Sequence, residues 1–452
     1  MRWARAAGLV CCVAFAGCAY YNGLFNANRL ANEARRAERE GRTSEARSLW
    51  SRAAVKAESV ASRFPRSKYR DDALVLQGTA LSRLGSCSQA VRALQVAADS
   101  SPDRAMRGEA RLLIGGCWLT LQQPESAAAA LADLAEAGDS VTRGRFLLVR
   151  GEAKVRLGRD SAALADLAAS AAPEAVFPTA TALARLGHVS EATAALERAV
   201  ERPYVESRWL EALDTLGTRA PHEASRLVNL LVGAGRLPEG QRARLLLGDG
   251  ERWLRSGDTN QAVPRLAAVA ATVPDSGEGQ VARAHLAVRS VRAADRVAAI
   301  PELIDSLAAS TRAGGAALRV GGRFQSVLTR AHEAMLEAES PMPLFFAAED
   351  VRDSLATPAL AADLFSEIAR RYAESVVAPK ALLAAALLRP DAADSLIARV
   401  RQAYPASVYT LALDGLAGDR FRVVEDSLHQ LGRNPPQRRG AAASDRRVRN
   451  ER

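Results

Sequence analysis

The stretch LVLQGTALSRLGSCSQAVRALQVAADSSPD, residues 74–103, decides the fold. Leu74, Gly78 and Leu81 recur at helical spacing and mark one apolar face. Gly85 closes that helix, and Ala90, Leu94 and Ala97 mark a second face that ends before Pro102. Two short amphipathic helices joined at a glycine read as a helical hairpin, and the pattern returns. Gly115 with Ala127 and Leu131 stands 115 − 78 = 37 residues on, and Gly151 with Gly158, Ala163 and Leu167 a further 151 − 115 = 36. Ala180 with Gly187, Ala192, Leu196 and Ala199 continues the series. RLLLGDGERWLRSGDTNQAVPRLAAVAATVP at 244–274 is the cleanest late copy, with Gly250, Trp253, Gly257, Ala262, Leu266 and Pro274. An unrelated alanine-rich bundle would not need Gly and Pro to return in phase.

This arrangement resembles the tetratricopeptide repeat, in which a small residue lets two helices approach and a small and a bulky apolar residue follow in the partner helix. The resemblance implies an all-α fold, an α-solenoid of tetratricopeptide-like helix pairs over residues 18–275. From 276 to 340 the Gly/Ala phase lapses, although the segment still reads as helical, and Gly314-Gly315 and Pro341-Met342-Pro343 are boundary candidates. A second helical repeat module is expected over 341–431. The basic tail 432–452, GRNPPQRRGAAASDRRVRNER, has no apolar periodicity and is expected to be disordered.

Three junctions echo one another: RFPRSKYRDDAL at 63–74, RYAESVVAPKAL at 371–382 and AYPASVYTLAL at 403–413 each place an aromatic three residues before a serine, then enter an apolar helix. Serine suits a helix start, and so does Pro379. Together with NANRLANEARRAEREGRTSEARSLW at 26–50, the first of these resembles the outer-membrane assembly lipoproteins of the BamD type, over residues 18 to about 110.

The N-terminus has a matching address. Arg2 and Arg5 precede an apolar run, Ala6 to Gly17, too short to cross a bilayer, which needs about 20 apolar residues. Residues 1–17 therefore read as a signal peptide. Phe15-Ala16-Gly17-Cys18 resembles the lipobox of bacterial lipoproteins, which implies that Cys18 is acylated and becomes the mature N-terminus. Three acyl chains would anchor the protein durably, at about 0.8 kcal/mol per buried methylene. Ala19 stands where that family's inner-membrane retention signal usually has Asp, so the resemblance implies the periplasmic face of the outer membrane. Ala14-Phe15-Ala16 also reads as an ordinary cleavage site, which leaves a soluble periplasmic protein as the alternative.

Composition narrows the functional classes. The full chain carries 61 Lys and Arg against 51 Asp and Glu, and without the signal peptide the balance is (61 − 2) − 51 = +8. Only four of those bases are lysines, and the charge is scattered, unlike the clustered basic face with interleaved aromatics that nucleic-acid binding uses. The basic cluster Arg63, Arg66, Lys68 and Arg70 is the one local candidate for a docking site. Aromatics are 5% of the chain, which suits thin, closely packed helices better than sheets.

The five histidines stand without partners at metal-ligand spacing, and no nucleophile elbow or phosphate loop is present, so no enzyme activity, metal or cofactor is expected. Cys87 opens the second helix of one repeat and Cys117 lies in the first helix of the next. Antiparallel packing would bring them within disulfide reach in an oxidising compartment. The function expected is a lipid-anchored periplasmic scaffold that binds proteins or extended peptides, in outer-membrane protein assembly by the resemblance. The alternatives are a scaffold for cell-wall or division machinery and, behind it, a helical-superhelix glycan-cleaving enzyme.

Overall fold

The structure, a computed structural model, describes residues 22–133, 139–312, 314–337 and 339–433. Cys18, the signal peptide and residues 434–452 lie outside these. The fold is all-α, and among the described residues there is no strand. The chain divides into two compact units, Met1–Leu237 and Pro238–Arg452, the division falling inside the span 18–275 read from the sequence as one solenoid.

In the first unit, α1 spans 22–39 and is followed by α2 (Thr43–Arg63), α3 (Arg70–Arg83), α4 (Cys87–Ser100), α5 (Arg104–Thr120) and α6 (Pro124–Ala130). Then come α7 (Ser140–Arg156), α8 (Asp160–Ser170), α9 (Val176–Leu186), α10 (Val189–Ala199), α11 (Glu206–Gly217) and α12 (Pro221–Gly233). Each helix packs on the one before it, and the first helices of successive pairs, α3, α5, α7 and α9, also touch in turn, closing one side of the stack. One apolar core runs without a break from Leu24 to Cys117, with Trp50 of α2 fully enclosed and its indole N–H donating to Glu38 Oε1 at 2.8 Å.

The second unit contains α13 (Glu239–Arg255), α14 (Thr259–Thr272), α15 (Gly277–Ala293), α16 (Ile300–Thr311), α17 (Gly315–Leu336) and α18 (Pro341–Leu355). It continues with α19 (Pro358–Arg371), α20 (Val377–Leu388), α21 (Ala393–Ala403), α22 (Val408–Leu413) and α23 (Asp419–Arg433). Its main core runs from Ala287 to Leu428 and centres on Phe345 and Phe365, whose rings lie 5.2 Å apart.

The sequence repeat has a geometric cause. A Cβ placed on Gly78 would lie 2.3 Å from Leu94 Cγ; on Gly115 or Gly151 it would lie 2.7 Å from Leu131 or Leu167, and on Gly250 2.9 Å from Leu266. In every case the leucine follows the glycine by sixteen positions, so each first helix offers a notch into which the second helix inserts one side chain. That close approach brings the two helices into tight packing, whose dispersion gain depends on the absence of a void. The turn between them needs a left-handed residue, which glycine adopts without strain: φ is +80° at Gly85 and +84° at Gly257.

The phase lapse after residue 276 is a change of direction. Gly321 of α17 faces Leu307 and Thr311 of α16, which precede it in the chain. The notch persists while its partner has moved to the other side. Gly314 and Gly315 both have positive φ, and Ser340 caps α18, its Oγ accepting from Met342 N–H at 3.3 Å.

The three aromatic–serine junctions share one turn. The N–H groups of Ser67, Ser375 and Ser407 donate to the carbonyls of Phe64, Tyr372 and Tyr404 at 3.1, 2.9 and 3.0 Å. Each serine Oγ then accepts a backbone N–H at the entry to the next helix, from Tyr69, Val377 and Thr410.

Candidate functional site

Opposite the closed side of the first unit, α2 and α4 stand on either side of α3 and frame a groove of about 820 Å³. Leu74, Gln77 and Leu81 of α3 lie along it between the two flanking helices. Val55 and Glu58 of α2 face it from one side, and Gln89, Arg92 and Val96 of α4 from the other. Val55 is 62% exposed and Val96 38%, two large apolar side chains facing solvent where their helices are otherwise polar. The lining mixes apolar contact area with amide and charged groups of both signs. Such a surface suits a peptide that buries apolar side chains and pairs its own polar groups.

The sequence-derived candidates fall in different places. Arg70 lies at the end of the groove, 3.8 Å from Asp71. Arg63 at the end of α2 and Arg66 and Lys68 on the α2–α3 connection are exposed, Lys68 4.9 Å from the Tyr69 ring centroid, and they do not line the groove. Only one of the four basic residues is thus placed to meet a ligand there. Cys18 lies outside the described residues.

Cys87 and Cys117 are brought together. Both are buried free thiols, and Cys117 is hydrogen-bonded to Cys87. Burial and then that bond push the Cys117 thiol up to about 12, so it stays protonated and unreactive at neutral pH.

Sequence reasoning missed Val55, Glu58, Arg92 and Val96. The available signal was an apolar residue on a face that periodicity assigns to solvent, at Val55 within SRAAVKAES and at Val96 after Gln95. It also missed a pair of internal charge clusters. In α7 and α8, Arg150 grips Asp166 with two bonds of 2.7 Å and Lys154 approaches it at 2.6 Å. In α13 and α14, Asp249, 1% exposed, is held by Arg252 at 3.0 Å and by Arg265. Among the described residues no three His, Cys, Asp or Glu side chains cluster in a way that could hold a metal ion. No helix of the described residues is long and apolar enough to cross a membrane.

No family model and no curated protein matches the chain. Among solved structures, it is similar to a tetratricopeptide repeat protein from Parabacteroides merdae, at 14% identity and a TM-score of 0.38, over 55% of this chain and 93% of that one. It is also similar to a Rap protein complexed with competence and sporulation factor, at 12% identity and a TM-score of 0.33, over 84% of this chain and 99% of that one. The tetratricopeptide domain of P58(IPK) matches at 14% identity and a TM-score of 0.21, over 68% and 99%. The fold assignment rests on the chain's own notched helix pairs.

Proposed function

We propose that this protein is a non-catalytic scaffold that binds a protein or peptide partner in the α2–α4 groove, held by an acylated Cys18 at the periplasmic face of the outer membrane, where it serves outer-membrane protein assembly. The observation that carries the binding role is the groove, with Val55 and Val96 exposed on its two walls and Arg70, Glu58 and Arg92 among them. Its position in the first two helix pairs supports the assembly reading, because the resemblance to BamD-type lipoproteins covers that same part of the chain. Cys18 stands four positions before the start of α1 in the sequence, so a lipid anchor there would hold the first unit to the membrane by a short tether.

The test is affinity purification of C-terminally tagged protein from membranes solubilised in mild detergent, with the Val55→Asp/Val96→Asp variant alongside. Recovery of a β-barrel insertase in near-equal amount with the parent, and its loss with the variant, is the expected outcome. Recovery of wall-synthesis or division proteins without an insertase would overturn the assembly role. Equal recovery by parent and variant would overturn the groove as the site.

A further inference from the structure

The C-terminal helix of the second unit lies against helices that precede it by a long stretch of chain. In that unit α18 touches α20 and α20 touches α22, so the three form a continuous side, and α23 packs on α18 and α22. Its attachment is concentrated in few groups. Glu425 accepts from Lys380 Nζ of α20 at 2.8 Å and from Tyr409 Oη of α22 at 2.6 Å. Lys380 in turn sits 5.3 Å from the Phe345 ring centroid, and Phe421 meets Tyr409 edge-on at 5.8 Å. Leu428 is buried, whereas Phe421 remains 38% and Val423 63% exposed.

Two features mark this helix as a loosely seated occupant. Beneath it a recess of about 210 Å³ stays open among Phe345, Phe346 and Glu349 of α18, Lys380 of α20, and Glu425 and Leu428 of α23. The recess opens to solvent at the edge of the helix, which therefore covers only part of the face it rests on. The connection from α22 is short and carries Gly415 and Gly418, both in the left-handed region at φ +72° and +53°, which gives it freedom to swing.

We propose that the α18–α20–α22 side is a docking site for an amphipathic helix of a partner protein, and that α23 occupies it in cis as a displaceable plug. The partner helix carries a carboxylate to meet Lys380 and Tyr409, with an apolar residue just before it and another three after it, the pattern of Val424, Glu425 and Leu428. Charge complementarity sets the polarity: the side offers the Lys380 ammonium and the Tyr409 O–H as donors with the Glu349 carboxylate beside them in the recess, so a partner's carboxylate has to seat on the two donors. The inference is independent of the α2–α4 groove, which lies in the other unit.

A tethered plug acts at an effective concentration in the millimolar range, so a free helix of equal affinity competes poorly until the plug is weakened. The experiment uses the full chain and a fluorescent synthetic peptide of residues 417–433, read by anisotropy. The Glu425→Arg variant, which loses the acceptor for Tyr409 and repels Lys380, is expected to bind the peptide at least about tenfold more tightly than the parent. Adding Lys380→Glu to Leu428→Asp, a release variant whose own residue 425 stays Glu, abolishes the gain, and a peptide carrying Glu425→Lys restores it. Far-UV circular dichroism confirms that helix content outside α23 is retained, and Leu428→Asp provides a second release variant with Lys380 and Tyr409 untouched. Release variants that keep their helix content and bind no better than the parent would overturn the proposal. So would binding indifferent to the sign of residue 380, or a release variant that dimerises by exchanging α23 and leaves no site for the peptide.

Discussion

Two adjacent glycines show how finely the repeat discriminates. A Cβ on Gly115 would lie 2.7 Å from Leu131 Cδ1, while one on Gly116 would meet nothing within 4 Å. Both stand in the interior of α5, where glycine costs a helix about 1 kcal/mol relative to alanine. Gly116→Ala is therefore expected to raise stability by about 0.5–1 kcal/mol. Gly115→Ala should lower it, because overpacking of about 1–3 kcal/mol outweighs the same propensity gain. Urea unfolding of the two variants checks the opposite signs, and equal signs would refute the notch. The next turn contains a related misfit: Gln122 has φ +60° where the other copies place glycine, and Gln122→Gly should stabilise by about 0.5–1 kcal/mol. The notch glycines were legible in the sequence because each serves one pairing at a fixed distance along the chain. Val55 and Val96 were not, because their joint facing depends on how α3 orients two helices that no local pattern relates.

At the scale of the element, the two charge clusters are one device with its signs exchanged. Arg150 and Asp166 flank the Gly151–Leu167 notch, each one position before its member, and Asp249 and Arg265 flank the Gly250–Leu266 notch in the same way. The register thus admits an ion pair in either polarity beside the inserted leucine. Burial alone would raise the Asp166 carboxyl, but the hydrogen bonds from Arg150 and Lys154 outweigh it and hold the group below the ordinary 3.8. Its contribution to stability is therefore fully present above about pH 4 and is lost as pH falls through the lowered value. Arg150→Ala leaves a buried carboxylate with Lys154 alone and is expected to cost about 2–3 kcal/mol near pH 7. Denaturant unfolding repeated at stepwise lower pH should show that cost shrinking as Asp166 takes up its proton. A cost that did not change with pH would mean that packing, not charge, is lost. A sequence reader meets these residues as ordinary surface charges, since nothing in the alternation of polar and apolar positions says that Asp249 is enclosed.

For the whole molecule, the predictions concern address and compartment. If Cys18 carries the lipid, Cys18→Ser moves the protein from the membrane pellet to the soluble fraction, as fractionation would show; an unchanged pellet would sink the anchor. Cys87 and Cys117 are neighbouring thiols in the structure, and we expect them to be bridged in protein taken from an oxidising compartment, adding roughly 2–4 kcal/mol. Alkylation in denaturant without reductant, followed by mass spectrometry, distinguishes the cases, and two alkylated cysteines would exclude the bridge. The all-α repeat architecture was readable at this scale from the recurrence of glycine and leucine. The division between Leu237 and Pro238 was not, because the next notch, at Gly250, is as regular as those before it.

The fixed sixteen-residue register has a temporal meaning as well as a spatial one. Pairings that link neighbouring stretches of chain have low contact order and close quickly, with little loop entropy to overcome. A chain emerging lengthwise from a pore could therefore complete each regular pair as soon as its second helix was clear, without waiting for the helices still inside. The last described helix obeys a different clock: Glu425 reaches back 45 residues to Lys380, so the side it covers stands open until residue 425 has cleared the same pore. During that interval a client helix would compete with an empty seat, not with a tethered rival, and maturation of the C-terminus would itself act as the timer that closes the site.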